Sequence, residues 1–291
     1  MKNTTSNRQK VFPTCLPPAT NLLGSWWYWR EKDLNTIRPG TSFIADCGAF
    51  SAATQGKTVT QSDVTEWVNM WSNKITWAAS LDVIGDMDAT RRNWEQAAQN
   101  YDVECVPTVH YGTPVDEIGT YYREGCRRIG IGGLVGVPEK KRGHYLGQCF
   151  KYARDHDMRI KFHGWGVTHP PLLRFPFTST DSGTWNSGYR YARIATFQQN
   201  RNITIMVDGK TKPTSRDMKY LLDNYGIKYE QIGKAKVQNR WLIGYIGANE
   251  TRKLEQYYAS KRDYTIYLAA EYDDYQKISL FYENSNYSKT Y

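Results

Sequence analysis

The chain has 291 residues, 40% of them hydrophobic, which is enough apolar surface to fill the core of a large domain. This composition excludes wholesale disorder, and no run approaches the roughly 20 apolar residues of a membrane helix. The formal net charge of +9 favours a polyanionic partner such as nucleic acid. Aromatic residues also alternate with basic ones, as in SWWYWR (25–30) and GYRYAR (188–193), a pattern suited to stacking on unpaired bases.

The N-terminal residues MKNTTSNRQK are polar and lack the apolar segment of a signal peptide, which favours a cytoplasmic location. The five cysteines are widely spaced and contain no CxxC pair, which argues against a disulfide framework and against a structural zinc site. We expect most of them to be buried free thiols and expect no metal or other cofactor. The cysteines are Cys15, Cys47, Cys105, Cys126 and Cys149.

From about residue 20 to residue 185, short apolar runs alternate with helix-like stretches, which is the pattern of a parallel α/β fold. Seven runs rich in β-branched or aromatic residues are predicted strands: NLLGSWWY (21–28), TSFIADCGA (41–49), ITWAASLD (75–82), VECVPTVH (103–110), RRIGIGGL (127–134), RIKFHGWG (159–166) and LRFPFTSTD (173–181). Seven strand–helix steps favour a (β/α)8 TIM-type barrel over an open sheet. For the eighth strand the candidates are YARIATF (191–197) and ITIMVDG (203–209).

Helices are predicted between these strands. Thr60 and Asp63 have the spacing of a capping box, and Thr113 followed by Pro114 predicts another helix start. The first of these helices carries an apolar stripe made of Val64, Trp67, Val68 and Trp71.

The pattern changes past about residue 200, and we predict two domains: a catalytic barrel over residues 1–200 and a small basic α+β segment over residues 201–291. Ser215 and Asn249 are predicted caps of two helices in the second segment. Its predicted elements are SRDMKYLLDNYG (215–226), NETRKLEQYYASKR (249–262) and the strand YTIYLAAEY (264–272). This segment either contacts nucleic acid or in part completes the barrel, and its sequence leaves both roles open.

Polar residues or glycines end six of the predicted strands. In a (β/α) barrel the chemistry lies at the C-terminal ends of the strands, because the loops there converge on one mouth. A single aspartate in such a place commonly caps the next helix, and we prefer that interpretation for Asp86 and Asp88. Six such ends favour an active site; they carry Asp46, Asp82, His110, the pair Gly132 and Gly133, His163 and Asp181.

Carboxylates dominate this set, which contains no Cys–His pair and no cluster of metal-binding histidines. One carboxylate can attack a sugar carbon while another transfers protons. A glycosidase uses the same groups. A basic surface, however, suits a nucleoside within a polynucleotide better than it suits a neutral sugar.

Six motifs in this order resemble the signature of the tRNA-guanine transglycosylases, the queuine tRNA-ribosyltransferase-like enzymes. They are DCGAFS (46–51), SLD (80–82), VHYG (109–112), IGIGGLV (129–135), FHGWG (162–166) and FTSTD (177–181). The match is most similar to the shorter phage and bacterial relatives that insert 7-deazaguanine bases into DNA. The resemblance therefore implies a DNA-guanine transglycosylase, in the setting of a phage genome protected from nucleases.

The resemblance also implies roles for individual residues. Asp181 would be the nucleophile that forms a glycosyl-enzyme, and Asp46 would be the second catalytic aspartate, which moves protons on the base. Asp82 would accept hydrogen bonds from the purine N–H edge. Gly133 and Leu134 would bring a backbone N–H to the base carbonyl, where glycine permits a close approach.

Phe50 and His163 match the two residues that sandwich the base in this family, and Gly164 belongs to the same predicted base-binding set. The chain also departs from the family. His163 stands where the family usually has methionine, and His110 with Tyr111 replaces a usual glutamine pair. We retain His110 and Tyr111 as base-binding candidates.

The family's zinc subdomain has no counterpart in this sequence, which favours DNA over tRNA as the substrate. The implied partners are DNA, with tRNA as the alternative, and a free 7-deazaguanine such as 7-cyano-7-deazaguanine. Arg190, Arg193 and Arg201 are predicted to hold the nucleic-acid backbone, although a solvated basic face is an equal interpretation. Two further alternatives are a non-catalytic nucleic-acid-binding barrel and a nucleoside or sugar hydrolase.

Overall fold

The computed structural model describes residues 21–188, 190–233, 240–276 and 279. These residues belong to two compact units. The barrel unit comprises residues 21–183 and 254–272, and the hairpin unit comprises the described residues of 184–253 and 273–279. The N-terminal segment considered for a signal peptide, Cys15 and Tyr189 of the GYRYAR cluster lie outside the described residues. In the part of the chain that is described, no helix is both long enough and apolar enough to cross a membrane.

The elements, in chain order, are β1 (Asn21–Ser25), α1 (Trp26–Trp29), β2 (Ser42–Asp46), α2 (Ala49–Thr54), α3 (Gln61–Met70), β3 (Ile75–Ala79), α4 (Met87–Asn100), β4 (Glu104–Val106), β5 (Thr108–His110), α5 (Glu117–Arg123), β6 (Arg128–Gly132), α6 (Glu139–Asp155), β7 (Lys161–Gly164), α7 (Pro170–Leu173), β8 (Ser179–Ser182), α8 (Thr184–Ser187), β9 (Arg193–Gln198), β10 (Arg201–Met206), α9 (Ser215–Tyr225), α10 (Arg240–Ala259) and β11 (Thr265–Ala269).

The barrel unit is built on one parallel sheet, with the order β4-β3-β2-β1-β11-β8-β7-β6-β5. The two end segments, β4 and β5, are consecutive in the chain and are separated only by Pro107. Proline has no N–H to donate and therefore interrupts the ladder. Because β4 pairs with β3 and β5 pairs with β6, the two segments serve as one barrel strand. The nine segments thus make an eight-stranded TIM-type barrel, which confirms the predicted fold class. Each of the seven predicted strands contains a barrel strand, but the first ends at Ser25, where α1 begins, and the last begins only at Ser179.

The eighth barrel strand is β11, which pairs in parallel with β1 and with β8. Both segments predicted for this place are wrong: they form β9 and β10, an antiparallel hairpin in the hairpin unit. Gln199 and Asn200 connect the hairpin with positive φ angles of 50° and 61°, as in a two-residue turn that matches the twist of the strands. The barrel unit therefore takes its last strand from beyond residue 200, while residues 184–200 belong to the hairpin unit.

The predicted start of α3 is confirmed. The N–H of Asp63 donates to Oγ1 of Thr60 (3.2 Å), and the N–H of Thr60 donates to Oδ2 of Asp63 (3.1 Å). Val64, Trp67 and Val68 from the predicted stripe are buried. The capping box fixes where the helix begins, and the stripe fixes which side packs inward.

Other helix starts differ from the prediction. Thr214, not Ser215, caps α9 through a capping box. Asn249 lies inside α10, because the apolar residues before it continue the helix, and its side-chain N–H₂ donates to a backbone carbonyl one turn earlier. Thr113 precedes α5 by a turn and does not cap it.

The interior of the barrel is apolar and aromatic. Leu23, Ile44, Trp77, Val106 and Tyr267 form a buried cluster, with one residue from each of five strand segments. Burying each large apolar side chain stabilises the fold by about 1.5–3 kcal/mol. The cluster therefore gives the residues at the strand ends a close-packed base.

Candidate active site

Three carboxylates come together at the C-terminal end of the barrel. Asp46 is the last residue of β2, Asp82 follows the end of β3, and Asp181 lies in β8. Burial raises the pKa of Asp46 to about 6, and the negative charges of Asp82 and Asp181 add to this rise. The three groups are therefore close enough for their charges to interact.

Asp46 is held in a defined orientation by the chain that follows it. Its Oδ2 accepts a hydrogen bond from the N–H of Gly48 (3.1 Å), which favours the ionised form and partly offsets the effect of burial. With a pKa of about 6, the carboxyl group populates both its protonated and its ionised form near neutral pH. Such a group can give and take a proton in one reaction cycle.

Asp181 is buried, with a relative exposure of 8%. Its Oδ1 accepts a hydrogen bond from the N–H of Gly166 (2.8 Å) and lies 3.4 Å from Nε2 of His163. Gly166 has a φ of +67°, a conformation that glycine adopts readily. These contacts fix the orientation of the Asp181 carboxylate.

His163 is fully buried beneath this carboxylate. Its Nδ1 lies 2.8 Å from Oγ of Ser179, and its ring packs edge-on against Trp77 and Trp165, at centroid distances of 5.0 Å and 4.3 Å. Burial lowers the pKa of His163 and outweighs the opposing effect of Asp181. In this arrangement the neutral ring has no exposed face on which a base could stack, so the geometry does not offer the predicted sandwich role.

Asp82 and His110 form a pair across two strand ends, with 3.2 Å between Oδ2 and Nε2. Burial alone would lower the pKa of His110, but the hydrogen bond and the charge of Asp82 raise it above its ordinary value. The other oxygen of Asp82, Oδ1, is buried and has no hydrogen-bond partner among the described residues. A buried oxygen left in this way is costly, so the hydrogen-bonding capacity of Asp82 is not filled by the described residues.

The Gly133 and Leu134 segment packs against the turn after β5. Gly133 is exposed and has a φ of +68°, and a Cβ on it would lie 3.0 Å from the backbone nitrogen of Tyr111. Leu134 is buried and anchors the segment. Gly164, the last residue of β7, is also buried. A side chain at position 133 would therefore be strained and crowded, which explains the glycine in structural terms.

Aromatic rings lie in the segments that follow β1, β2 and β5. Phe50, on α2, has a relative exposure of 60%, and Tyr111 is also exposed. Half-buried Trp27 is a residue that the motifs did not assign, and the backbone of Gly48 packs against it. The guanidinium of Arg30 lies 4.9 Å from the centre of the Trp27 ring. Exposed rings of this kind can stack on a planar ligand.

Two contacts of Asp181 and His163 were also missed by the sequence analysis. The N–H of Gly166 holds Asp181, and the hydroxyl of Ser179 meets His163. Both residues lie inside motifs already quoted, FHGWG and FTSTD. A search for glycines directly after the strand ends would have found Gly166.

A thiol nucleophile is not available beside Asp46. Cys47 is buried, and burial raises the pKa of its thiol well above the usual range, with a further contribution from the charge of Asp46. Within the described ranges, four cysteines are free thiols, two of them buried. No group of three or more His, Cys, Asp and Glu side chains in those ranges is placed to hold a metal ion.

The three arginines predicted to hold a nucleic-acid backbone belong to the hairpin unit. Arg190, Arg193 and Arg201 are all exposed, and Arg193 begins β9 while Arg201 begins β10. The guanidinium of Arg193 lies 5.2 Å from the centre of the Tyr191 ring. Their contact with nucleic acid stays a prediction.

In comparisons with known proteins, no family model and no curated sequence matches this chain. Function is therefore inferred from the site and from the motifs.

Proposed function

We propose that this protein is a DNA-guanine transglycosylase that exchanges guanine in DNA for a 7-deazaguanine base through a covalent glycosyl-aspartyl intermediate. One observation carries the proposal: Asp46, Asp82 and Asp181 converge at the mouth of one barrel, where burial and neighbouring charge raise the pKa of Asp46 to about 6. A nucleophile, a proton carrier and a base-binding carboxylate are the groups that such an exchange requires.

In the first half of the reaction, an oxygen of Asp181 attacks C1′ of the target deoxyguanosine. The bond between C1′ and N9 breaks, its electron pair stays on guanine, and the protonated Asp46 supplies the proton that guanine gains. The N–H of Gly166 and the neighbouring His163 orient the attacking carboxylate. The sugar then remains attached to Asp181 as an ester while one base leaves.

In the second half, N9 of the incoming 7-deazaguanine attacks C1′ and the ester bond to Asp181 breaks. The electron pair of that bond returns to the Asp181 oxygen, and Asp46, now ionised, takes the N9 proton. Asp46 is thereby restored to its protonated form. A pKa of about 6 suits this alternation, because an acid with an ordinary pKa of 3.8 would hold its proton too weakly.

Base recognition is assigned to Asp82 and Phe50. Oδ1 of Asp82, unpartnered among the described residues, is suited to accept an N–H from the purine edge once the base enters the site, while His110 holds the other oxygen. The exposed ring of Phe50 is suited to cover one face of the base. His163 positions the Asp181 carboxylate and does not stack on the base.

DNA is preferred as the polymer for two reasons. The net charge of +9 suits a polyanion, and the sequence has no closely spaced cysteines like those of the tRNA enzymes' zinc subdomain. A base in duplex DNA would have to be flipped out of the stack before it reached the barrel mouth.

The test is to incubate the protein with a labelled 7-deazaguanine and either DNA or tRNA, and to measure the label in the polymer. The proposal predicts label in DNA and an equal amount of released guanine, with Asp181→Asn as the inactive control. Label in tRNA alone would overturn the choice of DNA. Release of guanine without incorporation would instead identify a hydrolase, and nucleic-acid binding with neither event would identify a binding barrel.

A further inference from the structure

A groove separate from the three carboxylates opens in the barrel unit between the turn after β5 and helix α6. Its volume is about 770 Å³, within the range of pockets that hold small organic ligands. The turn contributes residues 111–115. Helix α6 contributes Lys140, Lys141, His144, Tyr145 and Gln148.

The groove shares one wall with the proposed base-binding position. The hydroxyl of Tyr145 lies 2.6 Å from the carbonyl oxygen of His110 and 3.1 Å from that of Thr113, so it ties both ends of the turn to α6. His110 is also the residue that holds Asp82. A ligand in the groove would therefore contact the same turn that carries a base-binding residue.

The floor of the groove is aromatic and apolar. The ring of Tyr111 has a relative exposure of 37% and meets the ring of Tyr145 edge-on, with 5.3 Å between the centroids. Pro114 and Val115 extend this apolar surface. An exposed ring held by a second ring offers a fixed platform on which a planar base can stack.

The rim of the groove is basic. Lys140 and Lys141 are exposed, and neither has a carboxylate partner within 4.0 Å among the residues that the structure describes. The neighbouring Glu139 pairs with His169 at 2.9 Å, which removes that carboxylate as a partner for the lysines. Amines at a rim above an aromatic floor match the two halves of a nucleotide, its phosphate and its base.

We propose that this groove binds a nucleotide next to the guanosine being exchanged, with its base on Tyr111 and its phosphate at Lys140 and Lys141. This inference rests on the proposed function, which supplies the nucleic-acid strand. The shared turn places the flanking nucleotide beside the target base and links recognition of the strand to the position of His110.

The first test compares two variants with the same change in charge. Lys140→Glu/Lys141→Glu alters the groove, and Lys151→Glu/Arg154→Glu alters the far end of the same helix, where both side chains are exposed. Binding of a single-stranded oligonucleotide with one guanosine among thymidines is measured at several salt concentrations. The groove variant should bind about ten-fold or more weakly, and the magnitude of its slope of log K against log salt should fall by about 0.7, the value for one lost phosphate contact on a single strand. Equal losses in both variants would overturn the proposal.

The second test shortens the oligonucleotide so that it lacks the nucleotide on one side or the other of the guanosine. Tyr111→Ala should weaken binding of the intact strand by about five-fold or more, which corresponds to the loss of one stacked base. With one of the two shortened strands, the defects of Tyr111→Ala and of Lys140→Glu/Lys141→Glu should both disappear. Full defects with both shortened strands would contradict a flanking-nucleotide site.

These binding measurements do not depend on turnover, so the two proposals can fail separately. Strand binding through the groove without base exchange would leave the groove assignment standing and refute the transglycosylase. Base exchange that is unaffected by the groove variants, together with unchanged binding, would refute the groove and leave the transglycosylase standing.

Discussion

Nε2 of His163 lies 3.4 Å from Oδ1 of Asp181, and Nδ1 on the other side of the same ring lies 2.8 Å from the hydroxyl of Ser179. The imidazole is thus held inside the barrel between two residues of β8. Nε2 faces the carboxylate without making a hydrogen bond to it among the described residues, and a neutral ring there adds no charge to the core. In the proposed reaction this arrangement keeps Asp181 oriented between the two attacks at C1′.

The buried histidine predicts a specific pH dependence of stability. Because burial lowers the pKa of His163, the unfolded chain takes up a proton below pH 6.5 that the folded chain resists. The contribution of this residue to stability is therefore present above pH 6.5 and is lost as the pH falls below it. His163→Met removes this contribution, so the difference in unfolding free energy between variant and wild type should move in favour of the variant as the pH falls.

Urea unfolding at a series of pH values checks this prediction. The substitution His156→Gln, at an exposed histidine, is the control for the loss of a histidine. The difference in unfolding free energy between this control and wild type should not show the same dependence on pH as the difference for His163→Met. A difference between His163→Met and wild type that stays constant across pH would contradict the assignment of His163 as a buried neutral group.

Asp46→Asn is expected to lose exchange activity and to gain stability. The carboxyl has an ordinary pKa of 3.8 and a pKa of about 6 in the folded protein, so the folded chain binds an extra proton between these pH values. Stability therefore falls as the pH rises through this window. Asparagine avoids the cost of ionisation and should stabilise the protein by about 3 kcal/mol at pH 8, with no gain below about pH 4.

The measurement is chemical unfolding at pH 8 and at pH 4, together with the base-exchange rate. The amide oxygen of asparagine can still accept the hydrogen bond from Gly48, so the local turn is retained. A variant that is less stable than wild type at pH 8 would show that Asp46 is not a buried group with a raised pKa.

Asp82→Asn should weaken recognition of the base. It replaces a carboxylate whose Oδ1 has no partner among the described residues, and hydrogen bonds to charged groups contribute about 1.5–3 kcal/mol. The KM for the incoming base should therefore rise about 10- to 100-fold, with a smaller change in kcat. The matched control is Asp86→Asn, since Asp86 caps α4 by accepting from the N–H of Ala89 and asparagine caps equally well. Equal KM values for Asp82→Asn and wild type would remove Asp82 from the base site.

Phe50→Ala should weaken binding of the base without destabilising the fold. The ring is 60% exposed, so its removal should change the unfolding free energy by no more than about 0.5 kcal/mol. Loss of a stacked base corresponds to about 1–3 kcal/mol of binding free energy. Met70→Ala, at an apolar side chain that is 63% exposed on α3, is the control. Calorimetric titration with the free base checks the effect, and unchanged affinity would exclude stacking on Phe50.

Much of the barrel could be predicted from the chain. Apolar runs of strand length alternate with helical patterns, and local signals such as Thr60 with Asp63 mark where a helix begins. Local patterns could not identify the closing strand. In the chain, β11 is separated from the other barrel strands by residues 184–253, which belong to the hairpin unit. Its pairing with β1 and β8 is a long-range contact, and no local pattern distinguishes β11 from β9 or β10 as the closing strand.

The site was also predictable only in part: local patterns place the aspartates at strand ends, but they do not show how side chains pack across the barrel. Asp46, Asp82 and Asp181 end or follow strands, so strand counting alone brings them to one mouth. The burial of His163 depends on which face of β7 turns inward, and its partners Ser179 and Trp77 come from other strands. Pairwise contacts of this kind arise from packing across the barrel and are not encoded in spacing along the chain.

The most direct test of the central claim is mass spectrometry of the protein after brief incubation with an oligonucleotide containing guanosine and rapid acid quenching. The account predicts that wild type carries a covalently attached strand from which guanine has been lost, and that the attachment maps to the peptide containing Asp181. Asp181→Asn should remain folded and carry no adduct, with exchange reduced by at least about a thousand-fold. An adduct on a different residue, or base exchange that persists in Asp181→Asn, would contradict the account.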